Sequence, residues 1–134
     1  MKPVLVDTDI LSEFLRGTPK VIESVEKYLQ SYDAINFSII TYYEILNGLL
    51  YKDARKQLKK FIDFADLNKI LPLTISAARQ AAEIYADLKT IGQPIGHTDC
   101  LIAGIALTNS LQLVTNNTDH FKRVKELEIV NWLR

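Results

Sequence analysis

The feature that most constrains this chain is a short run, Val4-Leu5-Val6, apolar at every position and ending abruptly at Asp7-Thr8-Asp9. A strand points successive side chains to opposite faces of its sheet. Three apolar residues in a row therefore demand cover on both faces, the condition of an interior strand in a parallel sheet. Similar runs at Ala34 to Ile40 and Leu111 to Thr115 are separated by stretches with helical periodicity. That alternation predicts an α/β fold with a largely parallel sheet. Ile70-Leu71-Pro72-Leu73 and Glu128 to Leu133 read as edge strands, since proline is tolerated at an edge and not in a sheet centre.

Start and stop chemistry bounds the helices. Ile10, Leu11, Phe14 and Leu15 form one apolar stripe, which Gly17 ends. Thr18-Pro19 opens the next helix as a cap followed by proline at the first helical position. Its inward residues are Val21, Ile22, Val25, Tyr28 and Leu29. Thr41 caps a helix that carries Glu44, and a helical hairpin arm follows from about Ile45 to Phe64. Ile75 to Ile91 is a long amphipathic helix closed by Gly92. The turn-rich segment Gly92 to Gly96 then leads to Asp99 and the almost wholly apolar helix Cys100 to Leu107. No repeat, low-complexity linker or composition shift marks a boundary, so residues 1–134 are expected to form one domain.

A single cysteine permits no internal disulfide. It suits a reducing compartment, and the expected location is the cytoplasm. The opening residues carry no signal-peptide pattern. The longest apolar stretch, Cys100 to Leu107, falls far short of the roughly 20 residues a membrane span needs. Lys plus Arg and Asp plus Glu both number 16. Zero net charge argues against a globally basic, sequence-reading nucleic-acid protein, but leaves room for an acidic site beside a basic surface.

Asp7-Thr8-Asp9, Thr41 to Glu44 and Asn116 to Asp119 each follow a predicted strand, and Asp99 starts a helix. The carboxyl ends of parallel strands meet at one edge of the sheet, where ligands bind, so these residues are expected to converge. Converging carboxylates repel one another. A hard divalent cation offsets that repulsion, and Mg²⁺ suits a few carboxylates with several waters. His97, His120 and Cys100 lack the ligand spacing of a zinc site. The chemistry such a site supports best is phosphodiester hydrolysis, in which the cation neutralises phosphate and activates water. Each residue also has a structural role open to it. Asp7 and Asp9 are candidate helix caps, and Glu44 can bond back to Thr41 in a capping box. Asp99 can complement a helix dipole, and Asp119 and His120 are ordinary loop residues.

Four ordered motifs together carry a resemblance. They are Val4 to Asp9 with Ile10 and Leu11; Ser38 to Thr41 with Glu44 to Gly48; Pro94-Ile95-Gly96 before Asp99 and Leu101-Ile102-Ala103; and Leu113 to Asn117 with Phe121 and Asn131-Trp132. In these the chain resembles the PIN-domain ribonucleases and, within them, the VapC toxins of prokaryotic toxin–antitoxin pairs. The resemblance implies a PIN-like domain with a roughly five-stranded parallel sheet and helices on both faces. It also implies Mg²⁺ or Mn²⁺ as cofactor, RNA as substrate and a cognate antitoxin as partner. It makes Asp7, Glu44 and Asp99 metal-binding and catalytic residues. Where many relatives carry a fourth acid this chain has Asn117. Asp119 is taken as the catalytic replacement, with Asn117 and Thr115 in the outer shell.

Two other readings compete. Asp7-Thr8-Asp9 after a first strand also suggests a haloacid-dehalogenase-type phosphatase, although Leu11 stands where that motif needs threonine or valine. The other is a catalytically weak PIN-like module that binds RNA or a partner. Lys52, Arg55, Lys56, Lys59 and Lys60 recur at spacings that place them on one helix face, opposite Ala54, Leu58, Phe61, Ile62 and Ala65. Arg55, Lys56, Lys59 and Lys60 are therefore candidate RNA contacts. Tyr28, Tyr32, Tyr42 and Tyr43 are candidates for a homodimer interface.

Overall fold

In the computed structural model, which describes all residues from Met1 to Arg134, β1 (Val4–Val6) is the middle strand of a five-stranded sheet. The others are β2 (Asn36–Ser38), β3 (Lys69–Leu71), β4 (Gln112–Val114) and β5 (Ile129–Val130), in the order β3-β2-β1-β4-β5. Every neighbouring pair is parallel, with Leu5 beside Asn36 on one side and Leu113 on the other. The two strands read as edges are the edges.

Alternation along β1 divides the interior as its pattern requires. Leu5 and Leu113 face a core built with α5 (Ile75–Thr90) and α6 (His97–Thr108). Val4, Val6 and Val114 face a second core with α1 (Thr8–Arg16), α2 (Pro19–Leu29), α3 (Ile39–Tyr51) and α4 (Arg55–Asp66). Helices thus cover both faces. The approach of α6 to α5 depends on Gly104, where a Cβ would stand 2.5 Å from the Ala77 carbonyl oxygen. No helix is long and apolar enough to cross a membrane.

The strands are shorter than the sequence suggests, and the reason at β2 is a cap. Ser38 Oγ accepts from the Thr41 amide at 3.0 Å, so α3 starts at Ile39 and Ser38, not Thr41, is its N-cap. The arm is the expected hairpin of two helices, and its break falls inside the basic run. Lys52 ends α3, Asp53 takes a left-handed conformation (φ 51°), and α4 restarts at Arg55. Lys52 therefore does not share a helix face with Arg55, Lys56, Lys59 and Lys60. Phe61 and Ala65 are buried on α4 as expected, while Ile62 is exposed. The polar turn after β4 winds into one helical turn, α7 (Thr118–Phe121), anchored by the wholly buried Phe121.

The four tyrosines form no common surface. Tyr28 is buried, with its hydroxyl accepting from the Val4 amide at 3.1 Å and its ring stacked on Tyr32. Tyr42 packs on Phe61, and only Tyr43 is exposed.

Candidate active site

Asp7 leaves β1 still bonded to its neighbour strand, its amide donating to the Val114 carbonyl at 2.8 Å. Its carboxylate has two duties. Oδ1 accepts from the Thr8 amide at 2.8 Å and caps α1, while Oδ2 accepts from the Thr115 hydroxyl at 2.7 Å. Cap and site residue are therefore compatible readings of Asp7. Asp9 is held close by, accepting from the Ile10 amide at 2.7 Å and the Asn116 amide at 3.0 Å.

Asp7 is 5 % exposed. Burial, with the Asp9 and Asp99 charges adding to it, raises its pKa from 3.8 to about 7 against the opposing hydrogen bonds from Thr115 and Thr8. Asp9 is raised as well, chiefly by burial and further by Asp99, while the Asn116 and Ile10 amides oppose the shift. No lysine or arginine pairs with Asp7, Asp9, Glu44 or Asp99.

Glu44 is tied to this edge from α3. The Thr8 hydroxyl donates to its Oε1 at 2.7 Å and lies 2.9 Å from the Thr41 hydroxyl. With Ser38 capping α3, the capping-box role of Glu44 is set aside. Thr8 and Glu44 line a groove of about 340 Å³, together with Arg16, Lys52, Gln57 and Lys60.

Asp99, in the first turn of α6, has Oδ2 3.4 Å from His120 Nδ1. The same ring nitrogen is 2.9 Å from Asn117 Nδ2, and the Asn117 amide donates to Thr115 Oγ1 at 3.0 Å. Thr115, Asn117 and His120 thus link the surroundings of Asp7 to Asp99.

Asp119 does not join them. It is exposed and accepts from Lys122 at 3.3 Å, because the single turn of α7 sends Asn117 and His120 inward and Asp119 outward. Of the basic residues expected to meet RNA, Arg55 pairs with Asp53 at 3.0 Å and Lys59 with Asp63 at 3.4 Å. Lys56 is exposed on α4, and only Lys60 reaches the groove. Sequence reasoning set Asp7-Thr8-Asp9 at this edge but gave Thr8 and Asp9 no role in the site, and it read His120 as an ordinary loop residue.

No three histidine, cysteine or acidic side chains stand close enough to enclose a metal ion by themselves. The donors are oxygens, Asp7 and Asp9 are both held at raised pKa chiefly by burial and further by the Asp99 charge, and no lysine or arginine neutralises them. That donor set fits a hard divalent ion that binds through one or two carboxylates and keeps several waters. It does not fit zinc.

Comparison with known proteins agrees with this fold. Residues 4–127 match the family described as PIN domain. The Ribonuclease VapC of Rickettsia bellii is 34% identical, with 95% of this chain and 94% of that protein covered. The tRNA(fMet)-specific endonuclease VapC of Shigella flexneri is 28% identical over 98% of this chain and 99% of its own length. Among solved structures, DNA-bound VapBC from Salmonella typhimurium superposes with a TM-score of 0.87 at 28% identity, covering 98% of this chain and 99% of that one. VapBC2 from Rickettsia felis, bound to a promoter DNA fragment, gives 0.86 at 26%, covering 96% and 98%. A PIN-domain match over almost the whole chain, VapC relatives matched end to end, and an acidic sheet edge built from the matching motifs lead to one conclusion: this chain belongs to the PIN-domain family, in its VapC branch.

Proposed function

We propose that the protein is a divalent-metal-dependent endoribonuclease and the toxin of a type II toxin–antitoxin pair. The observation that carries this is the buried Asp7 carboxylate, set in the field of Asp9 and Asp99 with no lysine or arginine to neutralise it. Asp7 and Asp99 would hold Mg²⁺ or Mn²⁺, with Glu44 beside them. When bound, the ion would neutralise the scissile phosphate and lower the pKa of the attacking water.

The chain's own residues do the rest. Thr115 fixes Asp7 through its hydroxyl, and Thr8 fixes Glu44, which would bind the ion or orient the attacking water. Asn117 completes the outer shell. Lys52 and Lys60 line the same groove as Glu44 and would track the phosphates of the RNA.

The VapBC neighbours support a cognate antitoxin as protein partner. The exposed Ile39, Tyr43 and Leu50 of α3 support a homodimer. The cytoplasm is the compartment where such a pair would act. The phosphatase reading has no support, since Leu11 is wholly buried in the core. Cleavage of an RNA mixture by purified protein tests the proposal. Products with 5′-phosphate and 3′-hydroxyl ends, lost in EDTA, are expected. Cyclic phosphate ends or full activity in EDTA would contradict it.

A further inference from the structure

The turn after β4 holds a side chain for which the reaction above has no use. His120 Nδ1 lies 2.9 Å from Asn117 Nδ2 and 3.4 Å from Asp99 Oδ2. An ionised carboxylate only accepts hydrogen bonds, whereas an imidazole nitrogen either donates or accepts. The contact with Asp99 is therefore favourable in the tautomer that carries its proton on Nδ1. Asn117 is placed with Nδ2 toward that nitrogen, and the Nδ1-protonated tautomer requires the isosteric flip that brings its carboxamide oxygen to the ring.

Asn117 is itself held. Its backbone amide donates to Thr115 Oγ1 at 3.0 Å, and the Thr115 hydroxyl donates to Asp7 Oδ2 at 2.7 Å. One connected chain thus runs from Asp7 to Asp99 and passes through His120. The wholly buried Phe121 ring beside it anchors the same turn. Asp119 cannot substitute, being exposed and paired with Lys122.

We propose that His120 is a positioning residue for Asp99: its ring, braced by Asn117, fixes the direction in which the Asp99 carboxylate meets the cation. This rests on the metal-dependent reading above and extends it to a residue outside the acids. Groups that orient metal ligands typically contribute about 10–100-fold in metal affinity or activity.

The test is Mn²⁺ titration of the RNA-free full-length protein by calorimetry, with wild type, His120→Leu and His120→Asn compared and all three melted in EDTA. Asparagine carries a polar atom near the place of Nδ1, and leucine does not. His120→Leu should weaken Mn²⁺ binding by about 10–100-fold, His120→Asn should recover most of that loss, and the three should melt alike. On RNA, the leucine variant should lose kcat with KM little changed. If His120→Leu binds Mn²⁺ as tightly as wild type, the inference fails and the metal reading stands. A leucine variant that melts well below wild type in EDTA makes the role structural and also ends it. A wild-type protein that binds no Mn²⁺ overturns both.

Discussion

Asp7 is hydrogen-bonded to a hydroxyl 108 residues away in sequence and Asp9 to an amide 107 away, whereas Arg55 pairs with Asp53 and Lys59 with Asp63, two and four residues off. The acidic edge and the basic arm carry opposite charges and are held by opposite means. Contacts this local need none of the rest of the fold and, when exposed, contribute little to stability. Contacts between β1, α3, α6 and the end of β4 exist only once the sheet has closed. The fold gathers like charges at one edge against their repulsion, while the charges of the arm pair locally and stay in water. The second arrangement is what an ordinary surface looks like; the first is what a site looks like.

The largest effect expected from breaking this contrast is on the acidic side. Glu44→Gln keeps an oxygen to accept from the Thr8 hydroxyl but removes the charge. Single-turnover RNA cleavage should fall by at least about 100-fold, with the melting temperature close to wild type. Unchanged cleavage would return Glu44 to a structural role.

On the arm, the expected large effect is apolar. Phe61 is 1 % exposed between α4 and the core. Phe61→Ala should cost about 3–5 kcal/mol in urea unfolding. By contrast, Arg55→Gln and Lys59→Gln should each change stability by less than about 1 kcal/mol. A large loss in either charge variant would mean that the arm's ion pairs hold it after all.

The acidic edge should also make metal-free stability depend on pH in a particular direction. Folded Asp7 binds its proton more tightly than it does in the unfolded chain, its pKa being raised from 3.8 to about 7. Between those values the folded state holds more protons, so raising the pH there favours unfolding. In EDTA, wild-type stability should be highest near the lower end of that window. It should decline by up to a few kcal/mol toward pH 7, an amount set by about 1.4 kcal/mol per pKa unit, and level off above. Urea midpoints across the window measure it, and Asp7→Asn should lack most of the slope.

The smallest effect separates the basic residues from one another. Lys52→Gln or Lys60→Gln, both on the groove, should each reduce the slope of log RNA affinity against log salt by about one. Lys59→Gln, whose partner is Asp63, should leave that slope nearly unchanged. Equal effects at all three would return the charge pattern to a general property of the surface.

Much of the fold was legible because it rests on local rules. Val4-Leu5-Val6 needs two covered faces, and the proline in Ile70-Leu71-Pro72-Leu73 puts that strand at an edge. The approach of Asp99 to Asp7, and of Glu44 to Thr8 at the same edge, follows from the placing of acids after parallel strands. What was misjudged depended on a phase within a single turn. Ser38 and Thr41 are both good caps, and the choice between them moves the start of α3 and with it the partner of Glu44. The short α7 decides that Asn117 and His120 face Asp99 while Asp119 faces water, and a segment of four residues is too short to show periodicity. The break at Asp53 is a backbone conformation that the even spacing of Lys52, Arg55 and Lys56 conceals.

The most direct test of the central claim, that the acids converge on a cation site, needs no substrate. Wild type and Asp7→Asn are melted at neutral pH in EDTA and again in Mg²⁺. Asparagine caps a helix about as well as aspartate, so the variant keeps the α1 cap while losing the charge and a ligand. The account predicts that Asp7→Asn melts at or above wild type in EDTA. Wild type should then gain about 2.7 kcal/mol when Mg²⁺ is present at 100 times its dissociation constant, and the variant almost nothing. Two proteins that melt alike, with and without the metal, would contradict it.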